Sequence, residues 1–307
     1  MGHKFVITGG AGFIGSNLAE ALAGENDVVI IDDLSTGKAE NISSMDVRFI
    51  EGSITDPSLL RAAFEGADCV FHQAAIPSVQ RSIEDPIRTG RVNIEGTLNV
   101  LVAARDAGVK RVVYASSSSV YGDTPELPKS EDMCPSPKSP YAVAKLAGEA
   151  YCAVFNELYG MRTIALRYFN VYGSRQDPGS DYAAVIPRFV SALLRDEPPV
   201  IYGDGEQTRD FTYVKDVVSA NILASRCDAI GVFNAAGGMR ISVNRLAELI
   251  GENLGKNVRP VYTDPRPGDV RDSLADIKRA KEMGYAPKFT IEEGLRETVR
   301  WFSAKMG

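Results

Sequence analysis

Tyr141 and Lys145 stand four residues apart in the segment Ser-Pro-Tyr-Ala-Val-Ala-Lys, so both project from one face of a helix. The phenol of a free tyrosine has a pKa of about 10, too high for a base at neutral pH. A nearby ammonium would lower that pKa towards the operating pH. A run of four serines at residues 116–119 adds hydroxyl groups upstream. These groups predict a site that moves a proton together with a hydride.

A glycine-rich turn at residues 8–15 follows the first apolar run and opens the first helical pattern. Gly9, Gly12 and Gly15 would let the backbone turn tightly and approach a pyrophosphate, which the free N–H groups of the helix N-terminus attract. Asp32 ends the second apolar run. A carboxylate at that place can accept both adenosine ribose hydroxyls and repels a 2′-phosphate. The turn and Asp32 together predict NAD, in preference to NADP.

The elements that must position these groups alternate between short β-branched runs and longer helical patterns. This alternation predicts an α/β fold, a Rossmann-like doubly wound parallel sheet with helices on both faces. Proline and glycine become frequent after residue 170. We therefore predict a dinucleotide-binding domain over residues 1–170 and a smaller C-terminal α/β lobe over residues 171–307, some of whose segments return to the main sheet. Residues 123–140 read as a flap beside the site.

The predicted strands cover residues 4–8, 28–32, 47–51, 68–72, 111–116 and 163–167. The predicted helices cover residues 12–23, 85–107 and 140–160, and a further helix after residue 51 could be capped by Asp56 or by Ser58.

Composition argues against several other classes of protein. The net charge of the 307 residues is −6 and no basic stripe is present, which disfavours a nucleic-acid partner. No stretch reaches the roughly 18 apolar residues of a membrane span, and no signal peptide is evident. Four scattered cysteines and two histidines give no metal-ligand spacing. The expectation is a cytoplasmic protein without a metal site or a membrane partner.

Taken together, the motifs resemble the extended short-chain dehydrogenase/reductases and, within them, the UDP-hexose 4-epimerases. The resemblance covers essentially the whole chain. It rests on residues 8–15, Asp32, His-Gln-Ala-Ala at 72–75, Val-Asn at 92–93, Ser116 with Ser117, Tyr141 with Lys145, Arg-Tyr-Phe-Asn at 167–170, Arg-Asp-Phe at 209–211 and Arg-Pro-Gly-Asp at 266–269. One departure is Ser53, where the family usually has an aspartate that contacts adenine.

The resemblance implies a role for each matching position. The catalytic residues would be Tyr141, Lys145 and Ser117, with Ser116 and Ser118 as alternative serines. The NAD-binding residues would be Gly9, Gly12, Phe13, Ile14, Gly15, Asp32, Ser35, Thr36, Gly37, Ser53, Ile54, Gln73, Ala74, Ala75, Asn93, Ser116, Tyr141, Lys145 and Tyr168. The UDP-sugar would be bound by Ser117, Ser118, Asn170, Ala184, Val185, Val200, Tyr202, Arg209, Arg266, Asp269 and Ser273.

The reaction implied by the resemblance is transient oxidation of the sugar at C4, followed by return of the hydride to the other face. Ser273 stands where family members restricted to plain hexoses carry a bulky residue, so N-acetylated hexosamines are also expected as substrates. UDP-glucuronate stays open as an alternative substrate. Dehydration is disfavoured because residues 116–122 contain no acid. A non-catalytic NAD or nucleotide-sugar sensor is the alternative from another class. Helices 85–107 and 140–160 resemble those of the family's homodimer interface.

Overall fold

A seven-stranded parallel sheet forms the centre of the computed structural model, which describes residues 2–179, 184–265 and 270–306. The strands are β1 (Lys4–Thr8), β2 (Asp27–Asp32), β3 (Arg48–Glu51), β4 (Cys69–His72), β5 (Arg111–Ser117), β6 (Arg162–Tyr168), β7 (Val171–Tyr172), β8 (Val200–Tyr202), β9 (Thr208–Arg209), β10 (Thr212–Tyr213), β11 (Gly231–Ala235), β12 (Ile241–Ser242) and β13 (Val261–Thr263).

The α-helices are α1 (Phe13–Leu22), α2 (Pro57–Phe64), α3 (Val79–Glu84), α4 (Pro86–Gly90), α5 (Gly96–Asp106), α6 (Pro140–Tyr159), α7 (Val185–Leu194), α8 (Val214–Arg226), α9 (Val243–Leu254), α10 (Lys278–Glu282) and α11 (Ile291–Met306). A π-helical segment (Arg91–Glu95) joins α4 to α5, and 3₁₀ turns cover Ala39–Asn41 and Ser118–Tyr121.

The strand order in the sheet is β3-β2-β1-β4-β5-β6-β11, and every neighbouring pair is parallel. The order reverses between β1 and β4, which is the switch point where such sheets bind ligands. This arrangement confirms the predicted Rossmann-like fold. The strand β11 joins the sheet beside β6, although it comes from the part of the chain that follows residue 170.

Alternating side chains of each strand enter the two apolar layers of the sheet. Phe5 and Ile7 of β1 pack with α1 and α8 on one face, whereas Val6 packs with α2, α5 and α6 on the other. Strands buried on both faces explain the continuous apolar runs in the sequence. A third apolar cluster joins α7, α9 and α11 to Tyr172 and Tyr213, and it supports the C-terminal lobe.

Most of the strand and helix boundaries predicted from the sequence lie within one or two residues of those in the structure. Of the two predicted caps of α2, Asp56 is the cap, because its Oδ1 accepts from Ser58 N at 2.9 Å and from Leu59 N at 3.2 Å. The helix predicted over 85–107 runs from Pro86 to Asp106, interrupted by the π-helical segment. The short helix α3 before it was not predicted. Among the helices of the described residues, none is long and apolar enough to cross a membrane.

Candidate active site

The glycine turn after β1 is shaped so that only glycine fits its critical positions. Gly9 has a φ of +71°, and a Cβ there would lie 2.6 Å from the backbone nitrogen of Ala74. A Cβ on Gly15 would lie 2.2 Å from the carbonyl oxygen of Gly9. Gly12 is the N-cap of α1 and offers no side-chain cap, so the first N–H groups of the helix face the turn. The turn therefore offers backbone donors to an anion that approaches closely.

Asp32 lies at the C-terminal end of β2 and is 8% exposed. Its Oδ2 accepts from Ala11 N and its Oδ1 accepts from Leu34 N, both at 2.9 Å. Burial raises the pKa of this carboxyl group, while the backbone donors oppose the rise. A Cβ on Gly37 would lie 2.8 Å from Oδ1. The carboxylate is thus fixed in orientation and has lone pairs left for the hydroxyls of a ribose.

A cavity of about 220 Å³ runs from the glycine turn to Tyr141 and Lys145. Its wall contains these predicted cofactor-binding residues: Gly9, Gly12, Phe13, Ile14, Gly15, Asp32, Ser35, Thr36, Ser53, Ile54, Gln73, Ala74, Ala75, Ser116, Tyr141, Lys145 and Tyr168. The glycine cradle, the uncapped helix and the oriented carboxylate fit a dinucleotide.

Two predicted cofactor-binding residues are not among those that line this cavity. Gly37 packs against the Asp32 carboxylate, because a Cβ on Gly37 would lie 2.8 Å from Oδ1. Asn93 lies in the π-helical segment, where its Oδ1 accepts from Ile76 N at 2.8 Å and its Nδ2 donates to Ile76 O at 3.1 Å. Asn93 therefore holds the loop after β4, and Ile76 of that loop lines the cavity. Each end of the amide keeps further hydrogen-bonding capacity, so direct contact of Asn93 with the cofactor stays a prediction.

Some residues of the cavity wall had no predicted role. Arg88 of α4 lines the cavity, and so does Val92 of the π-helical segment, which belongs to the Val-Asn motif. Pro77, in the loop after β4, lines it as well. A π-helical insertion is common at functional sites, but it cannot be read from the local pattern here.

Tyr141 and Lys145 are placed by the first turns of α6. Ser139 caps the helix, since its Oγ accepts from Ala142 N at 3.1 Å, and Pro140 occupies the first helical position. Lys145 Nζ donates to the carbonyl oxygen of Ala115 at 2.7 Å and lies 5.7 Å from the centre of the Tyr141 ring. The Ser117 hydroxyl acts on the Tyr141 phenol and lowers its pKa. The predicted phenol and ammonium therefore meet at one wall of the cavity, whereas Ser117 is not among the residues that line it.

Burial is the largest cause of the pKa shifts of Tyr141 and Lys145. It raises the pKa of Tyr141, and the hydrogen bond with Ser117 only partly opposes that rise. Burial lowers the pKa of Lys145 to about 8, against the negative charge of Glu149. The expected lowering of the phenol pKa is therefore not produced by the protein's own residues. The reason is that removing water from the phenolate costs more than its neighbours return.

The serines of residues 116–119 point to different partners and so have different roles. Ser116 Oγ donates to the carboxylate of Glu149, and Ser117 is the member whose hydroxyl lowers the pKa of Tyr141. Ser117 also caps the 3₁₀ turn, where its Oγ accepts from Ser119 N at 3.2 Å. Ser118 lies in that turn and is not among the residues that line either cavity described here.

A second cavity of about 270 Å³ lies in the C-terminal lobe. Six predicted substrate-binding residues line it, namely Asn170, Ala184, Val185, Val200, Tyr202 and Arg209. Arg188 and Gln207 also line it and were not predicted. The Arg188 guanidinium lies 5.2 Å from the centre of the Tyr202 ring. Asn170 follows β6, whose last residue Tyr168 lines the dinucleotide cavity, so β6 connects the two cavities.

Three further predicted substrate-binding residues are not among the described residues that line the second cavity. Ser273 is half-buried, its N–H donates to Thr208 O at 3.0 Å, and it does not line the second cavity. It lies next to the strand that carries Arg209. Arg266 and Asp269 lie outside the described residues.

Comparisons with known proteins agree with this geometry. The family model described as the NAD dependent epimerase/dehydratase family matches residues 5–236. The chain belongs to this family. As a member of this family, the chain is an enzyme whose cofactor is NAD. The UDP-glucose 4-epimerase of Mycolicibacterium smegmatis is 41% identical over 312 residues, which cover 98% of this chain and 99% of that relative.

Two solved structures of epimerases are similar over almost their whole length. The UDP-N-acetylglucosamine 4-epimerase from Methanobrevibacter ruminantium, in complex with UDP-N-acetylmuramic acid, has a TM-score of 0.97 and 45% identity, and the match covers 100% of both chains. The UDP-glucose 4-epimerase of Thermus thermophilus, in complex with NAD, has a TM-score of 0.90 and 37% identity, and the match covers 98% of this chain and 99% of that chain.

Proposed function

We propose that this chain is a UDP-hexose 4-epimerase that interconverts UDP-glucose with UDP-galactose and UDP-N-acetylglucosamine with UDP-N-acetylgalactosamine. The observation that carries the proposal is that the centre of the Tyr141 ring and the buried ammonium of Lys145 lie 5.7 Å apart, with the ammonium anchored on the carbonyl oxygen of Ala115. Both residues line a cavity that fits a dinucleotide. The names of the similar proteins support the same class of reaction.

Three residues of the chain have separate roles in the proposed proton transfer. Ser117 binds the 4-oxygen of the sugar, and Tyr141 removes the proton from the 4-hydroxyl and later returns it. Lys145 holds a positive charge beside the phenol and is positioned to bind the nicotinamide ribose. NAD supplies, when bound, the hydride acceptor for C4 and the positive ring that favours the phenolate. The 4-keto sugar turns over, and C4 then takes the hydride back on its other face while the oxygen takes back the proton, so no net oxidation results.

The second cavity is the place that we propose for UDP, with residues 1–170 holding the cofactor and residues 171–307 holding the nucleotide of the substrate. Tyr202 and Val200 offer an aromatic and an apolar wall, and Arg209 offers a guanidinium for the diphosphate. The hexose then extends towards Tyr141. Tight contacts to UDP and few contacts to the sugar allow the keto intermediate to rotate.

Epimerisation is favoured over loss of water by the position of the acids. No carboxylate occurs in residues 116–122. The acid that contacts Ser116 is Glu149, which is paired with Arg167 and is not among the residues that line the cavities described here. It cannot protonate a leaving hydroxyl from there.

The decisive experiment is an epimerisation assay of the purified holoenzyme with UDP-glucose, UDP-N-acetylglucosamine and UDP-glucuronate in separate reactions. We expect turnover of the first two. Transient absorbance at 340 nm after adding sugar distinguishes an enzyme from a sensor, which would give a flat trace at saturating sugar. Turnover of UDP-glucuronate alone would replace the proposed substrates.

Access for the N-acetyl group is proposed to depend on the small side chain of Ser273. Ser273→Tyr adds an aromatic ring beside the sugar and should lower kcat/KM for UDP-N-acetylglucosamine by about 100-fold, which is about 2.7 kcal/mol. Turnover of UDP-glucose should change by less than about fivefold. Ser273→Ala is the matched control and should keep both activities. Equal losses on both substrates would remove Ser273 from sugar selection.

We further propose that the protein forms a homodimer through α6 and the α3–α4 segment. Apolar side chains are exposed there, with Leu158 67% and Ile87 84% exposed, and Ile83, Val143 and Val154 add to the same face. Leu158→Glu combined with Ile87→Glu should give the monomer mass in analytical ultracentrifugation. Val261→Glu, at an exposed position on β13, is the control and should leave a dimer. A wild-type monomer would contradict the proposal.

A further inference from the structure

A buried carboxylate lies one helical turn beyond Lys145 and is joined to three elements of the fold. Glu149 of α6 is 5% exposed. Its Oε1 accepts from Arg167 Nε at 2.9 Å and its Oε2 accepts from Arg167 Nη2 at 2.7 Å. Ser116 at the end of β5 donates its hydroxyl to the same Oε1. Glu149 thus ties the catalytic helix to the carboxyl ends of β5 and β6, directly behind the cavity wall.

Arg167 is itself held in place, so the carboxylate cannot drift. Its guanidinium lies 4.6 Å from the centre of the Tyr121 ring. The Tyr121 hydroxyl donates to Asn234 Oδ1 at 2.7 Å, and Asn234 N donates to Glu131 Oε1 at 2.7 Å. This polar chain crosses from α6 to β11 and to the segment before α6.

Stability alone is a poor reason for such a pair. Removing two charges from water costs free energy that their attraction often fails to return, and apolar side chains of similar volume frequently serve as well. The position of Glu149 beside the reacting groups offers a different reason. Lys145 is 3% exposed, and its Nζ donates to one carbonyl oxygen, that of Ala115. Glu149 is the negative charge that opposes the effect of burial on the Lys145 pKa.

The other groups around Lys145 do not supply that negative charge. Burial lowers the pKa of His72 to about 3, with Lys145 adding to the shift, so the ring stays neutral. Burial raises the pKa of Tyr114, whose ring centre is 5.1 Å from Lys145 Nζ, and that of Tyr141. Burial raises the pKa of Cys152, on the next turn of α6, to about 12. In the described part of the chain, these neutral groups surround Lys145 on β4, β5 and α6.

We propose that Glu149 is a positioning residue of the reaction, which fixes the Ser116 hydroxyl and supplies the fixed negative charge that keeps Lys145 an ammonium. Arg167 serves as the clamp that holds the carboxylate in that geometry. The proposal rests on the proposed function only in assuming that the Lys145 ammonium takes part in the reaction. The protonation state of Lys145 can be measured without any turnover.

The test is competitive labelling of the holoenzyme with acetic anhydride across a pH series, with the extent of modification of Lys145 read by mass spectrometry. The wild-type midpoint is expected at about 8. Glu149→Gln keeps the volume and a hydrogen-bond acceptor but removes the charge, so the midpoint should fall by about one pH unit. The alkaline limb of kcat/KM should move by the same amount. Glu149→Asp, which keeps the charge, should restore both towards wild type.

Two further variants make the outcome decisive. Glu149→Gln combined with Arg167→Met removes both charges and avoids an unpaired buried guanidinium, so it tests the idea even if the single variant fails to fold. Its midpoint should fall less than that of the single variant, because the repulsion from the Arg167 guanidinium is removed together with the attraction to the Glu149 carboxylate. Glu131→Gln removes a carboxylate farther along the polar chain and should leave the midpoint unchanged. An unmoved midpoint in both Glu149 variants, with activity reduced equally at every pH, would show a structural role only and overturn the proposal.

Discussion

Removing the hydroxyl of Tyr141 tests the centre of the proposed chemistry. In the protein alone burial holds the phenol pKa above its ordinary value, so the phenol keeps its proton at neutral pH. Tyr141→Phe removes the group that carries the proton and leaves the ring that Lys145 faces. General acid–base catalysis contributes about 10² to 10⁴ in rate. We expect kcat to fall about 10³-fold, which is about 4 kcal/mol of barrier.

Binding should be almost unaffected by the same change. The glycine turn and Asp32 hold the cofactor at the other end of its cavity, and the second cavity lies beyond β6. KM should stay within about threefold, and the protein should purify with NAD bound. Loss of the phenol hydroxyl should change the unfolding free energy by no more than about 1 kcal/mol.

The assay measures epimerisation at saturating sugar, cofactor content and thermal unfolding for each variant. Tyr151→Phe is the matched control, because Tyr151 is a half-buried tyrosine on the same helix that packs against the core. It should keep kcat within about twofold. If Tyr141→Phe keeps its cofactor and loses less than about tenfold in kcat, Tyr141 is not the base.

Three shorter predictions concern the cofactor and pH. Gly15→Ala places a Cβ 2.2 Å from Gly9 O, so the turn must shift and the purified protein should lack NAD, whereas Gly90→Ala meets nothing within 4 Å and should retain it. Asp32→Asn removes a repulsion worth about 1.4 kcal/mol or more, so NADP affinity relative to NAD should rise at least about tenfold in fluorescence titrations; an unchanged ratio would contradict this. Because Lys145 loses its charge as pH rises through about 8, kcat/KM should fall above that pH; a profile flat to about pH 10 would contradict a charged lysine.

The sequence by itself determined six of the seven strands of the main sheet and the two ends of the site. Apolar runs such as residues 28–31 can be satisfied only when both faces are covered, which requires a parallel sheet with helices on each side. Tyr141 and Lys145 share a helix face through spacing alone. Glycines in a strand-to-helix turn mark the place where a backbone must come close to a phosphate.

Tertiary structure decided what surrounds those groups. Asn93 became a support for the loop after β4, because a π-helical insertion turns its amide to Ile76. The sign of the Tyr141 pKa shift depends on how much water the folded chain removes, which no local spacing records. Glu149 and Arg167 are 18 residues apart and meet only because α6 packs on β6. Local sequence fixes which groups exist and which way a helix presents them, whereas their charges depend on neighbours that only packing brings together.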